Sequence, residues 1–274
     1  MKIVKIYTKN ADYQKFEVLK TNRNKRYRYF EFFVEGVRNI NEAIKNGWAF
    51  SSFIYTPDKP LSNWARETLQ AVKTDVNYEL PESLMAELSG KTDTSELMAI
   101  IKMREDSFAR LPHPANPLYV LFDRPSNKGN LGTIIRSCDA MGVDGLIITG
   151  HAVDLYDPDV VVSTMGSLFH TQAIRIPDNE QIFAWIAQMK EQHPGFQVVG
   201  TTAHKERSIS DVDLRRPTLL MIGNETDGLC RAFKEGCDVL ATIPMSDTSS
   251  ASSLNVACAA TVLLYETARQ RMGV

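Results

Sequence analysis

The stretch LYVLFDRPSNKGNLGTIIRSCDAMGVDGLIITG, residues 118–150, decides the fold. LYVLFD (118–123) is an apolar run without alternation, which reads as a strand buried on both faces. A turn rich in Gly and Asn then opens a helix over GNLGTIIRSCDAMG (129–142), and DGLIITG (144–150) supplies a second buried strand. Strand, helix and strand at this spacing form the crossover unit of a parallel sheet.

Downstream the pattern repeats. DVVVSTMGSLFH reads as helix or loop, AIRI as a short strand, NEQIFAWIAQMKEQH (179–193) as a helix and FQVVGTT (196–202) as a strand. PTLLMIG (217–223) and VLATIP (239–244) are further apolar runs, each stopped at Gly or Pro. Upstream, REDSFARLPHPANP (104–117) combines charges, three prolines and no hydrophobic period, as a linker does. Residues 13–104 alternate helical and strand-like segments, among them YFEFFVEG (29–36), VRNINEAIKNG (37–47), AFSSFIYT (49–56) and LMAIIKM (97–103). The expected architecture is a small α/β sandwich over 1–106, a linker over 107–117 and an α/β domain with a mostly parallel sheet over 118–274.

Composition narrows the function classes. The chain has 274 residues, 43% hydrophobic and 23% charged, with a net charge of −2. That balance is ordinary for a globular protein and does not suit one coated in nucleic acid. No apolar run nears the roughly 18 to 20 residues that cross a bilayer, and MKIVKIYTKNADYQK lacks the apolar core of a signal peptide, so a cytoplasmic protein with no membrane partner is expected. The four cysteines form no C-x-x-C pair and the five histidines show no ligand spacing, so no metal is expected. One local patch stands out, KTNRNKRYR (20–28), in which Lys20, Arg23, Lys25, Arg26 and Arg28 lie beside Tyr27 and Tyr29. It reads either as a solvated helix end or as an RNA surface, where cations neutralise phosphates and a Tyr stacks on an unpaired base.

In an open α/β sheet, ligands gather beyond the carboxyl ends of the strands. NKGNLGTIIRS (127–137), IGNETDGL (222–229) and IPMSDTSSASSLN (243–255) fall there. None has the spacing of a dinucleotide fingerprint, a P-loop or a G-x-S-x-G elbow, which argues against hydride transfer, nucleotide hydrolysis and serine acylation. Read singly, Asn130 is a helix cap, Arg136 a surface charge, Glu225 a loop acid and Ser253 the cap of an apolar helix.

Together, NLGTIIRSCDAMGVDGLII, LLMIGNETDGL and IP…SSLNVACAA resemble the three ordered motifs of the SpoU (TrmH-like) branch of the SPOUT methyltransferases. The resemblance covers about residues 117–270, and the preceding domain, with VEGVRNINEAIKNG its most typical stretch, is similar to the family's substrate-binding domain. It implies a trefoil-knotted C-terminal domain, a homodimer formed through that domain, S-adenosylmethionine as cofactor, and methylation of ribose 2′-hydroxyls of tRNA or rRNA. The catalytic set it implies is Asn130, Arg136, Glu225, Ser253 and Asn255. The cofactor set is Gly223, Ile243 and Leu254 through backbone groups, with Thr201, Ala203 and Met245 lining the pocket.

A guanidinium with a pKa above about 12 is a poor base. Arg136 is therefore expected to hold phosphate or a forming ribose oxyanion, anchored by Glu225, while the proton leaves to a phosphate or water. Leu254 and VACAATVLLYE are expected to drive a helix into the core and hold Ser253 and Asn255 at its polar mouth. One departure marks this chain: the family link between IPM and SLN is about two residues shorter and carries a Gly where Asp247 falls here. Two other readings stay open, a catalytically silent RNA-binding protein that keeps the fold and a base-directed methyltransferase of the same superfamily.

Overall fold

The structure is a computed structural model that describes residues 2–91, 93–204 and 206–272. It divides into two compact units, Met1–Arg104 with Asp154–His170, and Glu105–Val153 with Thr171–Val274. The segment 154–170 thus belongs to the first unit although the sequence places it inside the second domain.

In the first unit β1 (Ile3–Lys5) leads to α1 (Ala11–Thr21) and α2 (Arg23–Tyr29), then β2 (Glu31–Glu35) and α3 (Val37–Lys45). β3 (Phe50–Tyr55), α4 (Asn63–Ala71), β4 (Asn77–Glu79), α5 (Glu82–Ser89) and β5 (Met98–Lys102) complete it. The sheet order is β1-β4-β3-β5-β2, parallel at β1/β4 and β3/β4, antiparallel at the two β5 pairings. Where one initial helix was expected there are two. Asn22 ends α1 in an extended conformation, and its side chain accepts the Lys25 N–H at 3.1 Å to cap α2. Phe30 then takes a left-handed conformation, φ 58°, so the strand begins at Glu31 rather than Tyr29.

The second unit carries β6 (Leu118–Asp123), α6 (Lys128–Ala140) and β7 (Gly145–Thr149). The chain next forms α7 (Pro158–Ser163) and α8 (Ser167–His170) in the first unit. It returns with β8 (Ala173–Ile176), α9 (Asn179–Gln192), β9 (Gln197–Thr201), β10 (Arg207–Ser208), β11 (Thr218–Ile222), α10 (Arg231–Gly236), β12 (Val239–Thr242) and α11 (Val256–Met272). The sheet order is β10-β12-β9-β11-β6-β7-β8, with every described pairing parallel. Alternate strand residues Tyr119, Leu121, Ile147, Val198, Leu219 and Met221 pack against Trp185, Ile186 and Met189 of α9. The residues between them, such as Val120, Phe122 and Ile148, are equally buried, which is why these strands read as unbroken apolar runs. α6 packs on α11, where the Ser137 and Thr261 hydroxyls meet at 2.7 Å.

The linker is anchored rather than free. Phe108, in a short helical turn, stacks on Trp185 at 5.1 Å, Leu111 is buried, and Asp106 accepts the Arg175 N–H at 2.9 Å.

Two cations of the expected RNA patch are committed to the first unit's interior. Arg26 is only 1% exposed. It donates to Asp154 at 2.7 Å and to the carbonyls of Leu19 and Lys20 at 2.8 and 2.9 Å, with Asp157 3.5 Å away. Lys20 donates to the Leu88 carbonyl and, at 2.9 Å, to that of Ser89, and lies over the Phe33 ring. Burial lowers its pKa. A guanidinium satisfied in this way has no donors to offer phosphate, so Arg26 is a fold residue and Lys20 half of one. Arg23 is partly buried over Tyr27, Lys25 is half-buried, and Arg28 is exposed.

Candidate functional site

The site lies beyond the carboxyl ends of β6, β9, β11 and β12, where the segments that follow them converge. A cavity of about 350 Å³ is lined by Thr201 to His204, by Ile222 to Leu229, and by Ile243, Met245, Ser253 and Leu254. Every residue expected to hold the cofactor is in this lining: Thr201, Ala203, Gly223, Ile243, Met245 and Leu254. Gly223 has a steric reason for its identity. A Cβ built there would sit 2.3 Å from Gly228 C and Leu229 N, so only glycine lets the loop fold back on itself.

Around the mouth runs a chain of amides. Asn127 caps α6 by accepting the Asn130 N–H at 3.0 Å, which leaves the Asn130 side chain free of capping duty. That side chain donates from Nδ2 to Glu225 Oε1 at 3.2 Å and accepts from Asn255 Nδ2, also at 3.2 Å. Asn255 in turn accepts the N–H groups of Ala257 and Cys258 at 2.9 and 3.3 Å, capping α11. Each amide has one orientation only, because Glu225 must be met by a donor and the helix by an acceptor.

Glu225 accepts three further hydrogen bonds, from the Ser126 N–H at 3.0 Å, the Ser126 hydroxyl at 2.8 Å and the Asn127 N–H at 3.1 Å. Burial raises its pKa, but these bonds and those from its own backbone and Asn130 outweigh it, so the carboxyl sits below its ordinary range. The donors of Ser126, Asn127 and Asn130 alone fill the carboxylate's four lone-pair directions. The expected Glu225–Arg136 pairing is therefore corrected: the turn ahead of α6 takes the place assigned to the guanidinium. Arg136 is exposed on α6 and has no hydrogen-bond or ion-pair partner among the described residues.

Two expectations for the third segment also change. α11 begins at Val256, capped by Asn255 rather than Ser253. Leu254 is 42% exposed and faces the cavity instead of the core, which Ala257, Ala260, Leu263 and Leu264 fill. Ser253 lines the cavity.

Sequence reading missed Ser126 and Asn127, although a Ser-Asn pair just ahead of a helix is a recognisable cap signal. It also missed Asp123, a buried carboxylate that accepts the Thr149 hydroxyl and the Cys230 N–H, each at 2.8 Å. A strand of otherwise apolar residues ending in an acid was the available clue. Among the described residues, no group of His, Cys, Asp and Glu is arranged to hold a metal ion, and no helix is long and apolar enough to cross a membrane.

Comparison with known proteins points the same way. The SpoU rRNA Methylase family matches residues 117–265, and the SpoU L30e-like domain matches residues 10–99. A 23S rRNA (uridine(2479)-2'-O)-methyltransferase of Streptomyces viridochromogenes is 44% identical over 269 residues, covering 98% of this chain and 93% of that protein. The crystal structure of the SpoU methyltransferase AviRb from the same organism, in complex with AdoMet, superposes with a TM-score of 0.90 at 44% identity, covering 96% of this chain and 98% of that one. An AdoMet-bound rRNA methyltransferase from Sinorhizobium meliloti matches at 27% identity with a TM-score of 0.84, covering 98% of each chain.

Proposed function

Because the chain belongs to the SpoU rRNA methylase family, we propose that it transfers a methyl group from S-adenosylmethionine to a ribose 2′-hydroxyl of ribosomal RNA in the cytoplasm. One observation carries the reading: three strand-end segments far apart in sequence meet at one cavity, and Asn130 bonds both Glu225 and Asn255 at its mouth.

S-adenosylmethionine fits this cavity. The volume of about 350 Å³ lies in the range of small-molecule sites, and the lining combines apolar residues, Ile222, Leu229, Ile243, Met245 and Leu254, with polar ones such as Thr201, Thr202, Glu225 and Ser253. When bound, it supplies a methyl group already activated on a sulfonium. The protein's task is then alignment and charge. Asn130, Asn255 and Glu225 hold the starts of α6 and α11 together, so that the RNA ribose meets a rigid rim. Arg136 brings a five-donor fork that meets no acceptor among the described residues, suited to a phosphate or to oxyanion character on the ribose oxygen. With its pKa depressed, Glu225 is a poor proton acceptor, and the hydroxyl proton goes to an RNA phosphate or water.

The finer parts of the reading have their own support. A trefoil knot is supported by membership of the SpoU family and by the likeness, at a TM-score of 0.90, to a SpoU methyltransferase structure. A homodimer is supported by an exposed face on α11, where Cys258, Val262, Tyr265 and Met272 recur at helical spacing. For the first unit, RNA contact through Lys25 and Arg28 is supported by their position outside the buried network of Arg26.

Incubation with labelled S-adenosylmethionine and RNA from cells lacking the protein tests the central claim. Label is expected in rRNA, and nuclease mapping is expected to place it on the sugar; label on a base, or cofactor binding without transfer, would reject it. Gly223→Ala is expected to weaken S-adenosylmethionine binding at least tenfold by calorimetry, because the loop wall cannot close around a Cβ 2.3 Å from backbone. Reversing Lys25 and Arg28 to Glu is expected to lower RNA affinity and flatten its dependence on log salt by about 1 to 2, with the unfolding midpoint unchanged.

A further inference from the structure

Arg124, immediately after β6, is built into its place at some expense. Its φ of 50° lies in the left-handed region, which a non-glycine residue enters only against steric resistance. Space for its side chain comes from the end of β7: a Cβ on Gly150 would lie 2.6 Å from Arg124 Cγ. The guanidinium is gripped by the buried Asp123 through two bonds, Nε to Oδ1 at 3.1 Å and Nη2 to Oδ2 at 3.0 Å. Nη2 then reaches the Gly228 carbonyl at 3.2 Å.

These bonds end on the wall of the cavity. Asn224 and Gly228 close the 224–228 turn on each other, N–H to carbonyl in both directions at 3.1 Å. Outside that turn, Asn224 Nδ2 donates to the Arg124 carbonyl at 2.6 Å, and Cys230 N–H donates to Asp123 at 2.8 Å. Both ends of the loop and the Gly228 carbonyl that closes its turn are thus tied to two consecutive residues. Arg124 itself does not line the cavity.

We infer that Arg124, clamped by Asp123, is a positioning residue that sets affinity for S-adenosylmethionine by holding the 224–230 loop in its binding conformation. A wall free of this tie spends part of its time elsewhere, and apparent affinity falls by the fraction of time it is correctly placed. Arg136, Asn130 and Asn255 lie outside this loop, and Glu225 within it keeps its own ties to Ser126, Asn127 and Asn130, so the chemistry proceeds once the cavity is filled. The inference rests on the methyltransferase reading.

Calorimetric titration of the full chain with S-adenosylmethionine and S-adenosylhomocysteine is the test, on wild type, Arg124→Ala and Arg124→Lys. Arg124→Ala is expected to raise both dissociation constants about tenfold and Arg124→Lys less, since one ammonium cannot hold a carboxylate in a fork and reach Gly228 as well. KM for S-adenosylmethionine should rise in step while kcat at saturation falls less than about threefold; because Arg124 is partly exposed and Asp123 keeps its bonds from Thr149 and Cys230, the ligand-free unfolding midpoint should fall by only about 2 to 4 °C. Dissociation constants within twofold of wild type overturn the inference, as does a ligand-free midpoint that collapses along with affinity, which would make Arg124 a purely structural residue. If wild type itself binds neither ligand, the methyltransferase reading fails and takes this inference with it.

Discussion

Arg136→Ala is expected to slow methyl transfer by about 100- to 1,000-fold while leaving S-adenosylmethionine affinity within twofold, the loss seen when one preorganised donor to a developing oxyanion is removed. The expectation follows from what the guanidinium does not do. Glu225, its expected anchor, is saturated by Ser126, Asn127 and Asn130, and among the described residues no ion pair holds or neutralises Arg136. Its charge is available to substrate, and nothing in the cavity wall depends on it. Arg136→Lys keeps the charge but loses the fork, and an intermediate rate is expected. Single-turnover kinetics at saturating cofactor give the comparison; a near-normal rate for Arg136→Ala would remove it from the site.

The second large effect falls on stability. Arg26→Ala is expected to destabilise the first unit by about 3 to 5 kcal/mol, because it strands the buried carboxylate of Asp154 and the Leu19 and Lys20 carbonyls. Urea unfolding of the full chain reads this directly. Pairing the variant with Asp154→Asn should recover part of the loss by removing the uncompensated charge. Lys25 and Arg28, in the same run, should show the opposite profile, with RNA binding impaired and the midpoint intact. An Arg26→Ala protein as stable as wild type would contradict the burial argument.

That contrast also shows where sequence reading reached and where it stopped. The 118–150 stretch was legible because burial on both faces leaves a strand no polar positions, and the ends of β6, β7, β9 and β11 fall within one or two residues of the apolar runs. β1 was not legible, since three residues, the last of them Lys5, carry no pattern and are specified by pairing with β4. Neither was the burial of Arg26, whose partner Asp154 lies 128 residues away. A run of cations looks the same on paper whether it faces water or an acid across the fold. The cavity residues were placed by family resemblance, and the structure gathers them in one lining. The Glu225–Arg136 pairing failed for a local reason, because two backbone N–H groups of a tight turn reach the carboxylate at less entropic expense than a long side chain.

The one-way amide chain from α11 through Asn255 and Asn130 to Glu225 has a bearing on how the molecule ages. Hydrolysis of the Asn130 side chain to aspartate would set a second anion against Glu225, 3.2 Å away, and replace the donor that the first one needs. The same lesion at Asn255 would still cap the helix but turn an acceptor toward an acceptor. A gain of one mass unit at either position is thus enough to unseat the rim without any change in the folded core, and old protein should lose turnover before it loses its shape.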